Sequence, residues 1–575
     1  MKKNLKISLL LLLIITLVSS CHRKQILEKE KKTAPQQGGS VIIGIRTDPE
    51  TLNPLLAVSQ LSYDIISLIF NKLADINEDL RTFHPRLAKS WEFSKDSLSI
   101  IFHLHTNVFW HDSVRFTSKD VIFTHKLQTN PEIGWNGITY KTYIASVEAP
   151  DDSTVIYHFR KRYNTMLMDA VEGYIVPEHL LKDMTPSEIR NSKFGENPVG
   201  TGPFVFKRWD FQQSITLVRN QNYYEENKPY LDKVIFKILP DERTIFNELR
   251  NREIDMAYYL SQGYYVMLEK LSINKRSHIK LRRILGRRYD FIGWNLYEPD
   301  SYITVFNENN KKDIKKIGDL EPHRLFSSQR VRAALTMAIN REEIRKVVLK
   351  GLARAIDGPI PPIWPVYNDT AVYKWEYNPE KAKEILKEEG WIDEDGDNVL
   401  EKGDLEFSFE IYTNAGNTNR EQAVTIIQDQ LSRIGVKVIP KIVEPAYLFG
   451  YILPTRQYDA ALIGWGVGLK VYLTPLFHSK TFFFPFHFTG YFSKEYDYLE
   501  DMALSAMSYE ESQKYWNKIS RKLSYELPYT WLYYEYQCIA IDKRYKNTKF
   551  DVRGAIINIE DWWIPVGERL KRDRF

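Results

Sequence analysis

The sequence predicts an α/β protein that folds as two large lobes. The chain has 575 residues, and a single hydrophobic core rarely grows beyond about 250–300 residues, so longer chains divide into domains. Segments with the two-residue period of strands are mixed with segments of helical period along the whole chain. The composition is 43% hydrophobic, as in soluble globular proteins, and no repeat period is visible.

The first residues have the pattern of a secretory signal. Lys2, Lys3 and Lys6 form a positive region, and the apolar run Ile7–Val18 follows it. The run is shorter than the about 20 residues that a bilayer span needs, and small residues lead from it to Cys21. An uncleaved N-terminal anchor is the alternative. With either signal, we expect the 555 residues that remain after the first 20 to work outside the cytoplasm at a membrane surface.

The stretch Val18–Cys21 resembles a bacterial lipobox. The resemblance implies cleavage before Cys21 and attachment of lipid to its thiol, so we expect an anchor in a bacterial membrane on the extracytoplasmic (periplasmic) side. Residues 1–20 are then the signal peptide, and residues 21–37 form a flexible lipidated tether. Because Cys21 is used by lipid, Cys538 has no partner, and its apolar and aromatic neighbours predict a buried structural thiol.

Charge and composition argue against nucleic acid as a partner. The net charge is +5 at pH 7, which is small for this length, and the basic residues are scattered rather than clustered. The 35 Tyr, 29 Phe and 13 Trp fit large β-sheet cores, and some of them also fit a cleft that holds a ligand through aromatic faces. We expect a monomer.

Local signals assign the elements in chain order. Period-two patterns bounded by turn residues predict strands over 41–45, 91–106, 213–219, 233–239, 291–295, 406–413, 436–441 and 460–465. Amphipathic spacing with capping residues predicts helices over 117–127, 241–251, 329–349, 378–389 and 420–434. The stretch 329–349 should be two abutting helices that meet around Asn340-Arg341. Asn197–Pro203 is predicted to be a turn between strands.

No sequence motif gives a positive sign of catalysis. The chain lacks the nucleophile elbow, the HExxH motif, the Walker loop and the dinucleotide fingerprint, so we expect neither an enzyme nor a cofactor. His103, His105 and His111 lie close together, but no fourth ligand is obvious, and we expect no metal site. Residues 393–397 are similar to a calcium loop, yet Gly396 falls at position four rather than six and position twelve holds Asp404 rather than a glutamate, which favours a polar turn.

A series of short segments forms an ordered pattern from about Gly38 to near Tyr498. The segments are Gly38–Pro54, Leu87–Asp96, Phe102–His105, Val108–Asp112, Phe116–Phe123, Asn197–Pro203, Arg219-Asn220, Tyr223-Tyr224, Pro229–Val234, Val331–Leu335, Ala338–Arg341, Gly358–Pro362 and Tyr377–Lys383. Each is weak alone. Together they resemble the extracytoplasmic solute-binding proteins of peptide and nickel ABC transporters, the oligopeptide/dipeptide-binding family.

The resemblance implies a two-lobed periplasmic-binding-protein-like fold of the large peptide-binding type, with mixed sheets and a hinge of crossover strands. Lobe I is expected over residues 38–285, and the chain returns to it over 530–575. Lobe II is expected over 286–529. The ligand would be enclosed between the lobes and contact both, because only a difference in affinity can favour the closed state.

The resemblance also implies a function. The closed protein would deliver its ligand, expected to be an oligopeptide, to an ABC transporter permease in the membrane for import. The same fold could hold a non-peptide or acidic ligand instead, such as an oligosaccharide, a metal chelate or a cell-wall fragment. A signalling receptor without transport is a further alternative.

One segment near the expected cleft departs from the family pattern. Gly464-Trp465-Gly466-Val467 matches, but the aspartate that pairs with a peptide's α-amino group would fall at Gly468, and Lys470 stands where an acid is expected. A buried lysine repels an ammonium ion, so an acidic ligand, a carboxylate end or a blocked peptide would suit Lys470 better. Lys470→Asp should then weaken binding of the native ligand. Alternatively, Lys470 points to solvent.

The resemblance and the loop positions give a set of candidate ligand-binding residues. Trp465 is the first of them, as an apolar wall or stacking face, with core packing beside its strand as the alternative. The full set is Trp465, Gly466, Val467, Gly468, Lys470, Tyr140, Asn414 and Ser59.

Overall fold

The computed structural model describes residues 34–272, 277–308 and 314–573. The predicted signal peptide, Cys21 and most of the predicted tether lie outside these residues. Over the ranges that are described, none of the helices combines the length and the apolar character that a bilayer crossing requires.

Strands and helices are mixed along the chain, as the sequence predicts. The strands are Ser40–Ile45, Ala74–Ile76, Phe83–Pro85, Ala88–Phe93, Ser99–Leu104, Ile144–Asp151, Thr154–Phe159, Phe204–Asp210, Ser214–Arg219, Lys233–Ile238, Met256–Leu260, Ile279–Trp294, Ala353–Ala355, Glu401–Lys402, Leu405–Glu406, Ser408–Asn414, Lys437–Val443, Ala460–Gly466 and Tyr529–Asp542. The helices are Gln60–Ile69, Ser118–Thr129, Met166–Val171, Glu178–Leu181, Pro186–Asn191, Glu242–Asn251, Gln262–Ser272, Pro299–Glu308, Gln329–Ala338, Arg341–Val347, Pro379–Glu388, Thr418–Ser432, Pro445–Tyr447, Leu448–Ile452 (a π-helix), Leu453–Thr455, Thr474–Phe477, Lys494–Ser505 and Tyr509–Glu526.

A large mixed sheet runs through the molecule. Its strands follow one another in the order Lys437–Val443, Ser408–Asn414, Ala460–Gly466, Ile279–Trp294, Tyr529–Asp542, Met256–Leu260, Ser40–Ile45, Lys233–Ile238, Ser214–Arg219 and Phe204–Asp210. The central pairs are antiparallel, parallel pairs flank them on both sides, and the pairs at the Phe204–Asp210 end are again antiparallel. A separate antiparallel sheet of four strands, between residues 88 and 159, packs beside the N-terminal half of the large sheet.

Two long antiparallel strands occupy the centre of the large sheet. We call Ile279–Trp294 the first crossover strand and Tyr529–Asp542 the second crossover strand. Their register shifts between Leu285 and Tyr289. The predicted strand at 291–295 is therefore only the end of a much longer element. Charged residues interrupt the apolar pattern before it, and backbone pairing with the distant second strand holds that part extended.

Buried side chains form separate cores on the two sides of the crossover strands. The first core joins residues between 41 and 256 with residues 539–564. Two further cores draw almost entirely on residues 289–534. The C-terminal segment is tied to the first core by the Tyr545 hydroxyl, which donates to the carbonyl of Ser40 at 2.6 Å, and by an ion pair between Arg544 and Asp255 at 2.6 Å.

Several local predictions are confirmed. Thr117 caps the helix Ser118–Thr129 with a complete capping box, and 329–349 is divided into two helices at Asn340. Cys538 is free and fully buried, and burial raises the pKa of its thiol to about 12. The long helix Tyr509–Glu526 was not predicted.

Candidate functional site

A cavity of about 710 Å³ lies between the cores. Its lining comes from the helix Gln60–Ile69 and the segments 135–140 and 168–174 on one side, and from residues 466–469 on the other. Both crossover strands contribute the residues between these walls, at 286–288 and 535–537. The volume lies within the roughly 300–1,000 Å³ of small-molecule sites, so the cavity can enclose a ligand that contacts both walls.

The loop after the strand Ala460–Gly466 forms the second wall and is held at two points. The strand pairs with the first crossover strand up to Gly466. Beyond it, the backbone N–H of Val467 donates to the carbonyl of Arg287 at 2.8 Å. The indole N–H of Trp364 donates to the carbonyl of Gly468 at 2.9 Å. The loop is therefore a fixed part of the cavity.

Four of the predicted site residues line this cavity: Tyr140, Gly466, Val467 and Gly468. Tyr140 comes from the opposite wall, and its hydroxyl lies 3.7 Å from the position that a Cβ on Gly468 would occupy. Burial raises the pKa of Tyr140, so this hydroxyl stays protonated. The absence of a side chain at Gly468 thus leaves room directly opposite a hydroxyl group.

Trp465 lies behind the loop and does not line the cavity. Its ring stacks on Phe291 at 6.3 Å between centroids and packs against Phe486 and Phe488, each at 5.7 Å. Its indole N–H donates to the hydroxyl of Tyr529 at 3.2 Å. These contacts match the alternative of core packing beside the strand, because the indole face and its polar atom are both occupied by the protein.

Lys470 forms an ion pair with a residue of the opposite wall. Its Nζ lies 2.6 Å from Oδ1 of Asp169, and the two side chains are 13% and 1% exposed. The hydroxyl of Tyr163 donates to the other oxygen of Asp169 at 2.8 Å. Burial raises the pKa of Asp169, and Lys470 and Tyr163 oppose that increase.

This pairing corrects the interpretation of Lys470. The side chain does not point to solvent, and its charge is neutralised by Asp169. The argument that a free buried lysine would repel an ammonium and attract an acid therefore does not apply to it. The sequence could not show this, because the two residues are 301 positions apart.

Asn414 and Ser59 serve the protein's own polar groups. The side-chain oxygen of Asn414 accepts from Nη1 of Arg420 at 2.8 Å. The hydroxyl of Ser59 caps its helix by accepting from the backbone N–H of Ser62 at 3.1 Å. Neither residue lines the cavity.

Arg420 also forms a buried ion pair behind the second wall, which the sequence did not reveal. Its Nη2 and Nε lie 2.8 and 2.9 Å from the two carboxylate oxygens of Asp290. Burial alone would raise the pKa of Asp290, but the guanidinium holds it below its usual range. A Cβ on Gly464 would lie 1.9 Å from Oδ1 of Asp290, so this strand position requires glycine.

Many charged side chains of the cavity are already paired. Lys72 contacts both carboxylate oxygens of Glu172 at 2.9 Å. Arg86 bridges Asp75 and Glu560, each at 2.7 Å. These groups make the lining polar while their charges cancel locally.

The crossover strands add three further charged side chains to the cavity lining. Arg287, Arg288 and Glu535 line the cavity where the strand register shifts. Arg288 reaches only to within 3.8 Å of Asp290. Within the described ranges, the side chains of Arg287 and Glu535 have neither a hydrogen bond nor an ion pair. Burial, together with Asp290, raises the pKa of Glu535 to about 7. Sequence reasoning missed Arg287 and Arg288 because it began the first crossover strand at residue 291.

The three histidines singled out in the sequence have separate neighbours. Their partners are Glu92 for His103, Tyr224 for His105 and Gly202 for His111. The carboxylates of Asp393, Asp395, Asp397 and Glu401 lie within 4.8 Å of one another on the surface. Asp393 accepts the backbone N–H of Gly396 at 2.7 Å, which is the polar turn that the sequence favours.

Cores on both sides of the paired crossover strands, with a cavity between them, form the architecture of a two-lobed solute-binding protein. The sequence matches bacterial extracellular solute-binding proteins, family 5 Middle, over residues 82–483. The chain belongs to this family.

Relatives resemble the chain over nearly its whole length. It is 30% identical over 565 residues to the oligopeptide-binding protein AppA of Bacillus subtilis (strain 168), covering 97% of this chain and 98% of that protein. The structure of AppA from Bacillus subtilis in complex with a nonapeptide superimposes with a TM-score of 0.75 at 29% identity, covering 92% of this chain and 100% of the other. NikZ from Campylobacter jejuni in complex with Ni(L-His) gives 0.73 at 25% identity, with coverage of 91% and 99%.

Proposed function

We propose that this protein captures an oligopeptide in the cavity between its lobes and delivers it to an ABC transporter permease for import. Lobe I is proposed to comprise residues 38–285 and 530–575, and lobe II residues 286–529. Lipid on Cys21 would anchor the protein at the extracytoplasmic side of the membrane. The single observation that carries the proposal is the cavity of about 710 Å³, whose lining is shared by both walls and both crossover strands.

Contacts between the walls support a closed, ligand-holding state. The backbone N–H and the side-chain amide of Asn164 donate to the carbonyls of Ala506 and Ser508, both at 3.0 Å. Nζ of Lys161 donates to the hydroxyl of Ser505 at 2.8 Å. These three contacts are polar hydrogen bonds, so water can replace them when the lobes separate.

The lining suits a peptide better than an apolar solute. Tyrosines of the first wall, such as Tyr63 and Tyr140, can bind peptide N–H and C=O groups through their hydroxyls, and charged residues of both signs also line the cavity. The name of the relative AppA, an oligopeptide-binding protein, gives the same ligand class. No turnover is proposed, and a bound peptide should be released chemically unchanged.

The first test is native mass spectrometry of the mature, untagged protein from its own host, followed by release and identification of the ligand. A ladder of bound peptides is the expected result. A single oligosaccharide, metal chelate or other non-peptide species would contradict the peptide assignment. Cys21→Ala should move the protein from the membrane fraction to the soluble fraction, and retention in the membrane would contradict the lipid anchor.

A matched pair of glycine variants tests whether this cavity is the site. Gly468→Leu adds a side chain into the cavity opposite Tyr140, so the co-purified ligand should be lost. Gly450→Leu adds the same side chain at an exposed position with no heavy atom within 4 Å of the new Cβ, and it should retain the ligand. Equal ligand content in both variants would place the site elsewhere.

A further inference from the structure

The register shift in the crossover strands lies where Arg287, Arg288 and Glu535 line the cavity. Residues 286–288 form a bulge opposite Glu535, and a Cβ on Gly286 would lie 3.0 Å from the carbonyl oxygen of Glu535. Bulges re-aim side chains and are frequent beside functional sites. Here the bulge places Arg287 in the cavity lining.

Arg287 is a half-buried cation that the protein does not neutralise. No hydrogen bond or ion pair of its guanidinium occurs within residues 34–272, 277–308 and 314–573. One acid that senses its charge, Asp64, is 7% exposed and already accepts hydrogen bonds from the Tyr258 hydroxyl at 2.7 Å and from Gln60. A desolvated charge without a partner is costly, so an anion in the cavity would stabilise the closed state.

Asp64 and three tyrosines lie within electrostatic range of Arg287. Burial raises the pKa values of several neighbouring groups, and the positive charge of Arg287 opposes that increase in Asp64, Tyr140, Tyr258 and Tyr534. The Tyr140 hydroxyl has no hydrogen bond within the part of the chain that the structure describes. The carbonyl of Arg287 holds the loop at Val467. One ligand group could therefore contact the first wall, the hinge and the second wall together.

We propose that Arg287 binds a carboxylate of the ligand, with the Tyr140 hydroxyl as a second donor, and that the protein selects solutes that carry an acid group. A guanidinium presents two parallel N–H groups that fit a carboxylate. The inference rests on the proposed function, because it assumes that the ligand occupies this cavity. The acid group can be a free C-terminus or an acidic side chain, and the two sources are separated by the test.

The test uses three peptides of one length, titrated calorimetrically into the protein freed of ligand. The first has a free C-terminus and neutral side chains, the second is its C-terminal amide, and the third is that amide with one internal Asp. The wild type should bind the amide about 10- to 100-fold more weakly than the first peptide. If the third peptide binds more tightly than the second, a side-chain carboxylate is sufficient for recognition. Equal binding of all three peptides overturns the proposal.

Substitutions at two positions of the first crossover strand isolate the effect of the Arg287 charge. Arg287→Gln should bind the first peptide about 10- to 100-fold more weakly than the wild type, so its preference for a carboxylate over an amide should disappear. Arg287→Lys keeps the positive charge and should retain part of that preference. Arg282→Gln is the matched control, because Arg282 is exposed, does not line the cavity and, among the residues that the structure describes, donates only to the carbonyl of Leu281. Unchanged selectivity in Arg287→Gln overturns the proposal. Its melting temperature should not fall, since no native contact is lost.

Ligands released from wild type and Arg287→Gln purified from the host separate this inference from the proposed function. An acid-bearing solute that is not a peptide would overturn the peptide assignment and support the role of Arg287. Peptides whose acid groups are all blocked would support the peptide assignment and overturn the role of Arg287. If no acid-bearing solute is bound in either the titration or the release, the role of Arg287 is refuted.

Discussion

Breaking the ion pair between Lys470 and Asp169 should shift the protein toward its open form. The two side chains come from opposite walls of the cavity, 13% and 1% exposed, with 2.6 Å between Nζ and Oδ1. In Lys470→Met the carboxylate keeps the Tyr163 hydroxyl but loses its cation. Removing one member of a buried pair costs about 3–5 kcal/mol, and opening relieves that cost because water then reaches Asp169.

A cost of about 3 kcal/mol corresponds to a shift of roughly 100-fold in the ratio of closed to open molecules. When the closed state becomes scarce, the apparent ligand affinity falls by a similar factor. We therefore expect Lys470→Met and Asp169→Asn each to bind the native ligand about 100-fold more weakly in calorimetric titration. Small-angle X-ray scattering without ligand should give a larger radius of gyration for both variants than for the wild type.

The double variant Lys470→Met/Asp169→Leu supplies the decisive comparison. It removes both charges, so it should recover most of the lost affinity, as double-mutant cycles of paired residues do. Lys470→Asp should weaken binding because it faces one carboxylate with another, and the swap Lys470→Asp/Asp169→Lys should restore it. Single variants that bind like the wild type, or a swap that stays weak, would refute the reasoning and favour direct contact between Lys470 and the ligand.

Three further changes test the surroundings of the site. Trp465→Ala should lower the free energy of unfolding in urea by about 3 kcal/mol, and Trp465→Phe by less, because the ring fills an aromatic core; unchanged stability with lost binding would instead make Trp465 a ligand contact. Arg420→Met should cost about 3–5 kcal/mol because it leaves the buried carboxylate of Asp290 without its cation, whereas Asn414→Ala, which loses hydrogen bonds but no ion pair, should cost about 1 kcal/mol; equal losses would contradict the buried pair. Burial lowers the pKa of His111 to about 4 and that of His487 to about 3. The contribution of each neutral imidazole to the free energy of unfolding is therefore complete above pH 6.5. As the pH falls from there toward 4, each contribution decreases by up to about 1.4 kcal/mol per pH unit. The urea midpoint should fall over this range, His487→Gln should flatten the slope, and a midpoint independent of pH would contradict the assignment.

Much of the fold could be predicted because its signals are local. The capping box that starts at Thr117, the division of 329–349 at Asn340 and the buried thiol of Cys538 each depend on residues within a few positions. The loop Gly466–Gly468 was also found, because Gly464–Val467 matches the family pattern, and the structure places this loop in the cavity lining. Such features are fixed by backbone hydrogen bonding and periodicity over one or two turns.

The sequence alone thus determined the class of the fold, the division into lobes as an expectation, and a segment that lines the cavity. The tertiary structure decided which side chains face the cavity and which are paired or packed elsewhere. It paired Lys470 with Asp169, turned Trp465 into the core and brought Arg287 into the cavity through a bulge. Charge and exposure at these positions depend on partners as many as 301 residues away, and no local pattern encodes such contacts.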